Sequence, residues 1–476
     1  MATQKKRTKI ICTMGPATED DEVLRQLILH GMNVARFNFS HGSHDEHRAK
    51  FERLVHLRQE LNLPIATMLD TKGPEIRLRD FRDGGTELKQ GQKFTLTTEE
   101  VLGDNERASI TYKGLVHDVK PGATILIDDG LIGLRVENVT AKEILCTVEN
   151  GGPVSNHKGI NVPGTDLSMP FISDTDRSDL IFGCEMGFDF VAASFTRTAQ
   201  DIRDMRKILT DNGSRAKIIA KIESTQGVAH MEEILDEADG VMVARGDLGV
   251  EVPLEEVPVL QKRMIKLAEE KGKICITATQ MLDSMIHNPR PTRAEATDVA
   301  NAIYDGTGAI MLSGETAAGK YPVEAVRTMA RIAERTEQDI DYYHRMVRRA
   351  VDGTCFDVTT AISHSACTIS EDIKADAIIA VTMSGFTAER LSRYKPSCPI
   401  LACSTKSRVA CQTNLLFDVY PLIIPEEERT EQLFRTAIHQ AKLGGYVKTG
   451  DTVVLTAGVP LGESGKTNMV RVIEVK

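Results

Sequence analysis

The sequence predicts an α/β protein: a closed (β/α)8 TIM barrel carrying a small inserted all-β lid domain and followed by an open α/β domain. Three observations predict it. Eight short β-branched runs alternate with longer helical stretches over the first two thirds of the chain. That alternation breaks after Asp70, where short strands and tight turns take over. From about residue 346 a second, separate alternation of helices and strands begins.

The eight runs are Lys9–Thr13, Val34–Asn38, Ile65–Asp70, Phe190–Phe195, Lys217–Ile222, Gly240–Ala244, Ile274–Thr277 and Ala309–Ser313. Helical patterns fall between them at Asp21–His30, His44–Asn62, Thr198–Asn212, Thr225–Ala238, Leu254–Lys271, Arg293–Tyr304 and Pro322–Asp339. Eight strands each followed by a helix fit a closed barrel better than an open sheet. Periodicity alone is also compatible with an open doubly wound sheet.

Strand patterns at Lys93–Thr98, Ala108–Tyr112, Thr124–Ile127, Leu131–Val139 and Glu143–Glu149 fill the interruption, punctuated by Gly84-Gly85, Pro121-Gly122, Asp129-Gly130, Gly151-Gly152 and Pro163-Gly164. Insertions in barrels enter the loops at the carboxyl ends of the strands, where active sites sit, so this unit is expected to act as a lid. The last unit reads as helix Val358–Ile373, strand Ala377–Thr382, helix Phe386–Arg393, strands Ile400–Cys403 and Phe417–Pro421, helix Arg429–Leu443, and strands Thr452–Thr456 and Met469–Val475. The expected domains are a barrel over 1–71 and 169–345, a lid over 72–168, and a C-terminal regulatory unit over 346–476.

A length of 476 residues suits roughly two to four domains. No apolar run reaches the roughly 18–20 residues of a membrane span, and the basic N-terminus leads straight into a strand without a signal-peptide pattern, so a cytoplasmic protein with no membrane contact is expected. The net charge of −10 argues against nucleic acid as a partner, while leaving room for an anionic substrate in a locally cationic cleft. Nine cysteines without CxxC spacing read as buried thiols rather than a zinc site or a disulfide framework.

In a barrel, polar residues at the carboxyl ends of the strands share one pocket. Those ends carry Arg36, Asn38 and Ser40; Asp70 and Lys72; Ser194; Lys221 and Glu223; Arg245, Gly246 and Asp247; Thr279 and Gln280; Ser313 and Glu315. Carboxylates beside lysine and arginine form an inventory for a hard metal ion plus phosphate. Lys221 and Glu223 are two residues apart, hence on one side of an extended strand.

Six blocks carry a resemblance to pyruvate kinases. They are Arg36-Phe-Asn-Phe-Ser-His-Gly, Asp70-Thr-Lys-Gly-Pro-Glu-Ile-Arg, Ile218-Ile-Ala-Lys-Ile-Glu-Ser-Thr-Gln-Gly, Val241-Met-Val-Ala-Arg-Gly-Asp-Leu-Gly-Val-Glu, Thr277-Ala-Thr-Gln-Met-Leu and Ile310-Met-Leu-Ser-Gly-Glu-Thr. The resemblance implies phosphoryl transfer from phosphoenolpyruvate to ADP, giving pyruvate and ATP, in a homotetramer. It implies that Glu223 and Asp247 hold Mg²⁺ or Mn²⁺, that Lys221 and Arg36 meet the transferring phosphoryl group, and that the Ala244-Arg245-Gly246-Asp247 turn and Thr279 meet the substrate carboxylate. Thr279 is further linked to enolate protonation, with Ser313 and Glu315 either in that polar relay or in structural hydrogen bonding.

By the same resemblance, Asn38, Ser40, Asp70 and the Thr71 carbonyl form a K⁺ site. Glu75 after the Lys-Gly-Pro turn goes with K⁺ dependence in the family. Arg77 and Lys158, with Asn38 and His41, are implied on the nucleotide side. In the C-terminal unit, Thr382, Ser384, Gly385 and Thr387 resemble the family's effector loop, with Lys466 as a possible cation for a phosphorylated effector. Phe386 stands where sugar-bisphosphate-activated members often carry basic or small polar residues, which leaves the effector's identity open.

Two signals are set aside. Gly462–Thr467 resembles the end of a phosphate-binding P-loop, but Pro460 stands where its first glycine belongs. His41, His44 and His47 read as surface or nucleotide-edge residues rather than metal ligands. Two rival readings share parts of this pattern: a Mg²⁺-dependent aldolase or lyase acting on pyruvate enolates, and an inactive metabolite-binding homologue.

Overall fold

The computed structural model describes residues 6–346, 357–460 and 466–476. Eight parallel strands close into a barrel in sequential order: Lys9–Thr13, Met32–Asn38, Ala66–Asp70, Phe190–Ala193, Lys217–Ile222, Gly240–Ala244, Ile274–Ala278 and Ala309–Leu312. Their residues are buried almost without exception, as expected for a parallel sheet covered on both faces. Successive side chains alternate between two packing clusters. Ile10, Phe37, Leu69, Val191, Ile218, Val243 and Leu312 pack under the helices. Ile11, Val34, Met68, Ala192, Ile219, Met242 and Met311 belong to the other cluster. The second parity continues toward the carboxyl ends through Thr13, Arg36, Asp70, Ser194, Lys221 and Glu223, so the pleat that fills the barrel also gathers the polar groups at its mouth.

Between the third and fourth barrel strands lies a seven-stranded sheet, ordered Ile76–Arg77, Gly159–Asn161, Thr124–Ile127, Ile132–Val139, Glu143–Asn150, Lys93–Thr97 and Arg107–Ser109. A two-stranded ribbon, Gly85–Leu88 with Gly152–Ser155, completes the insertion. It has its own core, built around Leu78, Phe94, Leu96, Ile125, Leu134 and Ile144. The C-terminal unit is a five-stranded sheet in the order Val419–Ile423, Ile400–Ser404, Ala377–Val381, Thr452–Ala457, Met469–Glu474, of which the last strand runs antiparallel.

Several elements depart from expectation, each for a local reason. The fourth barrel strand stops at Ala193 because the Ser194 amide donates to Thr71 Oγ1 and Phe195 takes a left-handed φ of 53°. The helix expected over Thr225–Ala238 is two pieces, Thr225–Ala229 and Met231–Glu237, parted at His230. The strand expected at Phe417–Pro421 is Val419–Ile423, because Asp418 turns with φ 54° and donates its amide to the Arg7 carbonyl. Helices Asp174–Met186 and Ser407–Thr413 and the short strands Ile76–Arg77, Gly85–Leu88, Gly152–Ser155 and Gly159–Asn161 add to the expected set. The eight described cysteines are free, and all but Cys184 are buried; Cys355 lies outside the described residues.

At the amino end of the fourth barrel strand, Asp189 is fully buried and accepts the amide and hydroxyl of Thr67 at 2.9 and 3.0 Å. Burial pushes its carboxyl up from 3.8 to about 6, the Thr67 bonds and distant Arg58 offsetting only part of that. Unfolded, the group ionises near 3.8, so between pH 4 and 6 the folded chain holds a proton that unfolding releases. Stability therefore falls as pH rises through that window, by about 2–3 kcal/mol in all, and then levels. Asp189→Asn is expected to lack that slope. Chemical unfolding of both proteins at pH 4 and 7 checks it, and parallel profiles would contradict the assignment.

Candidate active site

Asp70 ends the third barrel strand with its carboxylate fully buried. Its Oδ2 accepts Arg36 Nε at 2.5 Å, and its Oδ1 accepts Lys221 Nζ at 3.1 Å and Ser194 Oγ at 3.0 Å. Burial alone would push this carboxyl up, but Arg36 and Lys221 outweigh it and hold it below its ordinary range. Lys221 Nζ also donates to Ser194 Oγ at 2.7 Å and lies 2.9 Å from Glu223 Oε1. Burial disfavours its charge, yet Asp70 and Glu223 more than compensate, so Lys221 stays an ammonium. Arg36 Nη1 donates to Thr13 Oγ1 at 3.0 Å, so two of its five donors are used in these two bonds.

Glu223 follows the fifth strand, with Oε2 accepting the Phe195 amide at 2.6 Å. Burial and repulsion from Asp247 push its carboxyl up to about 8 despite Lys221. Two acids close enough to repel, one of them fully buried, form a donor set short of positive charge. That suits an oxygen-loving divalent cation of the Mg²⁺ type, which takes one or two carboxylates and completes its shell with water and substrate oxygens. Among the described residues there is no group of three or more His, Cys, Asp or Glu able to hold a metal.

Asp247 stands in the first turn of helix Arg245–Glu251. The Arg245 side chain turns away from that mouth: its guanidinium clasps both oxygens of Asp298 at 2.7 Å and donates to the carbonyls of Ala278 and Thr279. Arg245 therefore offers its backbone to the mouth, while its charge braces Thr279. That brace matters because Thr279 and Gln280 both have left-handed backbones, φ 74° and 53°, and such a conformation is strained for a β-branched residue. Gly246 lies against Thr279, where an added Cβ would approach its methyl to 2.9 Å. Glu315 is buried, its oxygens accepting the amides of Leu282 and Ser313 at 3.0 and 2.7 Å, so it ties the two neighbouring turns together.

The Asn38 and Asp70 backbones lie side by side in register, Asn38 Oδ1 accepts the Ser40 amide at 3.2 Å, and the Thr71 carbonyl accepts Ser194 Oγ at 2.6 Å. Asn38, Asp70 and the Thr71 carbonyl thus meet at one rim, with Ser40 joined to Asn38 through its amide. His41 is exposed at that edge, and its carbonyl lies 2.9 Å from a ring nitrogen of His47. His47 itself is a correction: it is buried, stacked 4.0 Å from Phe39, rather than on the surface. His44 pairs with Asp179 at 2.6 Å.

Between lid and barrel runs a cleft of about 290 Å³ that reaches Arg77, Asp128 and Lys158 on the lid and Phe195, Ser224 and Asp247 on the barrel. Both lid cations are already paired. Arg77 binds Glu75 at 2.7–2.8 Å and the His157 carbonyl at 2.9 Å, and Lys158 binds Asp128 at 2.9 Å. Each is about one third exposed, and such ion pairs are weak enough for an incoming phosphate to displace.

In the C-terminal unit, Thr382 Oγ1 accepts the Gly385 amide at 2.9 Å, and Gly385 turns with φ 85° into helix Phe386–Tyr394. Thr387 is buried, with its hydroxyl 2.6 Å from that of Thr467, so the two loops meet. Ser384 and Lys466 are exposed nearby in sequence, and the Gly462–Lys466 loop lies outside the described residues up to 465.

The pyruvate kinase barrel-domain family matches residues 5–326, and the pyruvate kinase alpha/beta-domain family matches 360–473. The chain belongs to the pyruvate kinase family. A pyruvate kinase of Clostridium acetobutylicum is 48% identical over 98% of this chain and 99% of its own length. One of Geobacillus stearothermophilus is 49% identical, with 98% of this chain and 80% of that protein covered. A crystal structure of a pyruvate kinase from Cryptosporidium parvum superposes with a TM-score of 0.95 at 38% identity, covering 99% of this chain and 97% of that one. The closed barrel, inserted sheet and C-terminal α/β unit are thus those of a pyruvate kinase fold.

Three residues of this pyruvate kinase site escape sequence reasoning. Asp298 is read only as part of a helix, and its pairing with Arg245 spans 53 positions. Asp176 accepts the Gly73 amide at 3.0 Å and so anchors the start of the lid, where Gly73, φ 73°, has no room for a Cβ against Ser194. Arg197, just past the fourth strand, binds the far end of the lid. A basic residue two positions beyond the expected strand end at Phe195 is the one available signal.

Proposed function

We propose that this chain transfers the phosphoryl group of phosphoenolpyruvate to ADP, giving pyruvate and ATP. One observation carries the reading beyond family membership: a buried ammonium, Lys221, held between Asp70, Ser194 and Glu223 at the mouth of the barrel. A fixed cation in a water-poor site stabilises charge spread over phosphoryl oxygens far better than the same group in water. Arg36, oriented by Asp70 and Thr13, adds a planar fork aimed at the same group.

Glu223 and Asp247 would hold Mg²⁺ or Mn²⁺, which when bound would supply positive charge against the developing negative charge of the substrate. The backbone from Ala244 through Gly246 and Asp247, together with Thr279, receives the substrate carboxylate. Arg77 and Lys158 exchange Glu75 and Asp128 for the nucleotide phosphates, beside Asn38 and His41. Protonation of the enolate at carbon follows near Thr279. A threonine hydroxyl is too weak an acid to do this alone, so its part is to order water, with Ser313 and Glu315 fixing the loop. Measuring ATP formed from phosphoenolpyruvate and ADP, with divalent cation present and omitted, tests the reading; a chain inactive in both would overturn it.

The rim of Asn38, Ser40, Asp70 and the Thr71 carbonyl is the proposed K⁺ site, its oxygen donors carrying one formal charge among them. Replacing K⁺ by Na⁺ is expected to lower turnover about 10-fold or more, the scale on which misplaced catalytic groups cost rate. Equal rates in the two salts would contradict it.

The lid is assigned to residues 72–168, between barrel segments 1–71 and 169–345, and the regulatory unit to 346–476. Thr382, Ser384, Gly385, Thr387 and Lys466 form its proposed phosphorylated-effector site, supported by hydroxyls and a helix start brought together. A homotetramer is the assembly that family membership suggests. A cytoplasmic setting follows from the proposed substrates. Among the described residues no helix is long and apolar enough to cross a membrane.

A further inference from the structure

We infer that Arg197 is a positioning residue for the nucleotide half of the site, because it fixes the lid's returning linker to the segment that orients Glu223. The inference rests on the phosphotransfer reading above.

The lid joins the barrel through two stretches of chain. The outgoing one is pinned tightly: Thr71 exchanges hydrogen bonds with Ala192 and Ser194, and Gly73 donates to Asp176. The returning one has a different anchor. Arg197 Nη1 donates to the Leu167 carbonyl at 2.9 Å, and Nη2 donates to the Met169 carbonyl at 3.0 Å. Leu167 and Met169 pack their side chains against the lid's own core, so the guanidinium grips backbone that moves with the lid. The grip is itself rigid. The Arg197 side chain is 14% exposed, the residue's amide donates to Asp201 Oδ2 at 2.9 Å, and its carbonyl lies 3.2 Å from His230 Nδ1.

Two residues before Arg197, the Phe195 amide donates to Glu223 at 2.6 Å, and Ser194 bonds both Lys221 and Asp70. Residues 194–197 thus touch the catalytic ammonium, the proposed metal ligand and the lid linker in four consecutive positions. The linker in turn continues strand Gly159–Asn161, which pairs with Ile76–Arg77. Lys158 immediately precedes that strand. The position of both nucleotide-facing cations therefore depends on the stretch that Arg197 holds. The groups proposed for phosphoenolpyruvate, Arg36, Lys221 and Ala244–Asp247, all stand on the barrel and do not.

A purely structural role would lower the apparent kcat through loss of folded protein and leave both KM values in place. A positioning role moves one KM and not the other. Arg197→Ala is expected to raise KM for ADP about 10-fold, the scale of two charge-assisted hydrogen bonds lost at a partly exposed site, while KM for phosphoenolpyruvate changes less than 2-fold. Arg197→Lys, which can make one of the two bonds, should recover part of the loss. Hydrogen–deuterium exchange in the peptide spanning 163–172 should rise in the alanine variant without substrates, at unchanged thermal midpoint. Unchanged exchange there, or KM values that rise together, would overturn the inference. Should the wild-type chain make no ATP, the phosphotransfer reading fails, and the exchange measurement still decides whether Arg197 holds the linker.

Discussion

Replacing Lys221 by methionine is expected to cut turnover by about 10³-fold or more at saturating substrates, with a much smaller change in KM for phosphoenolpyruvate. The magnitude follows from what one preorganised donor is worth where charge develops in a water-poor site, about 10²–10³-fold, increased here because the group carries a full charge. On the proposed mechanism the effect belongs in kcat, because the ammonium would meet its strongest partner only as the phosphoryl group leaves. Methionine keeps most of the volume, so the comparison isolates charge from packing. Asp70 remains paired with Arg36 in the variant, which limits the cost of an uncompensated buried charge. Steady-state kinetics with circular dichroism as a folding control measure it. A folded variant with near-normal rate would remove Lys221 from the mechanism.

The second large effect concerns the two acids. Glu223→Gln keeps an oxygen to accept the Phe195 amide but removes the acid that a bound cation would ionise beside Lys221 and Asp247. The divalent-ion concentration for half-maximal rate is expected to rise at least about 100-fold, since even groups that merely orient a metal ligand are worth 10–100-fold in affinity. Asp247→Asn should behave alike. Lys221→Met should not: its loss falls on rate and leaves the metal titration nearly in place. Titrating Mn²⁺ into the three variants separates these roles. A Glu223→Gln protein with an unaltered metal midpoint would place the ion elsewhere.

Much of this arrangement was legible in the chain, and the reason is periodicity. Lys9–Thr13, Lys217–Ile222 and Gly240–Ala244 begin and end where their β-branched runs do, because parallel strands buried on both faces leave an unbroken apolar signature. The spacing of two between Lys221 and Glu223 places both on one side of the strand, and the observed 2.9 Å contact follows from it. Signals of a different kind were lost. Strands of two to four residues, such as Ile76–Arg77 and Gly152–Ser155, are too short to display alternation. Helix Ser407–Thr413 is less than two full turns, too short for a 3.6-residue period to emerge.

Side-chain direction was the other blind spot. Arg245 and Asp298, or Arg197 and Leu167, are distant in sequence and share no periodic relation, so only the folded chain brings them together. The consequence is most visible at Thr279. Its residue type suggested chemistry, whereas its left-handed backbone, held by Arg245 and packed on Gly246, depends on partners that no local pattern announces.

The account turns on a divalent ion shared by Glu223 and Asp247 within reach of the Lys221 ammonium. Crystals grown with Mn²⁺ and phosphoenolpyruvate, with data collected at the manganese absorption edge, would locate it directly. The expected anomalous peak lies about 2.0–2.3 Å from one oxygen of each carboxylate, the usual range for small divalent ions on oxygen donors, on the same side of the barrel mouth as Lys221 Nζ. A single strong peak elsewhere in the protein, with these two carboxylates bonded only to protein and water, would contradict it.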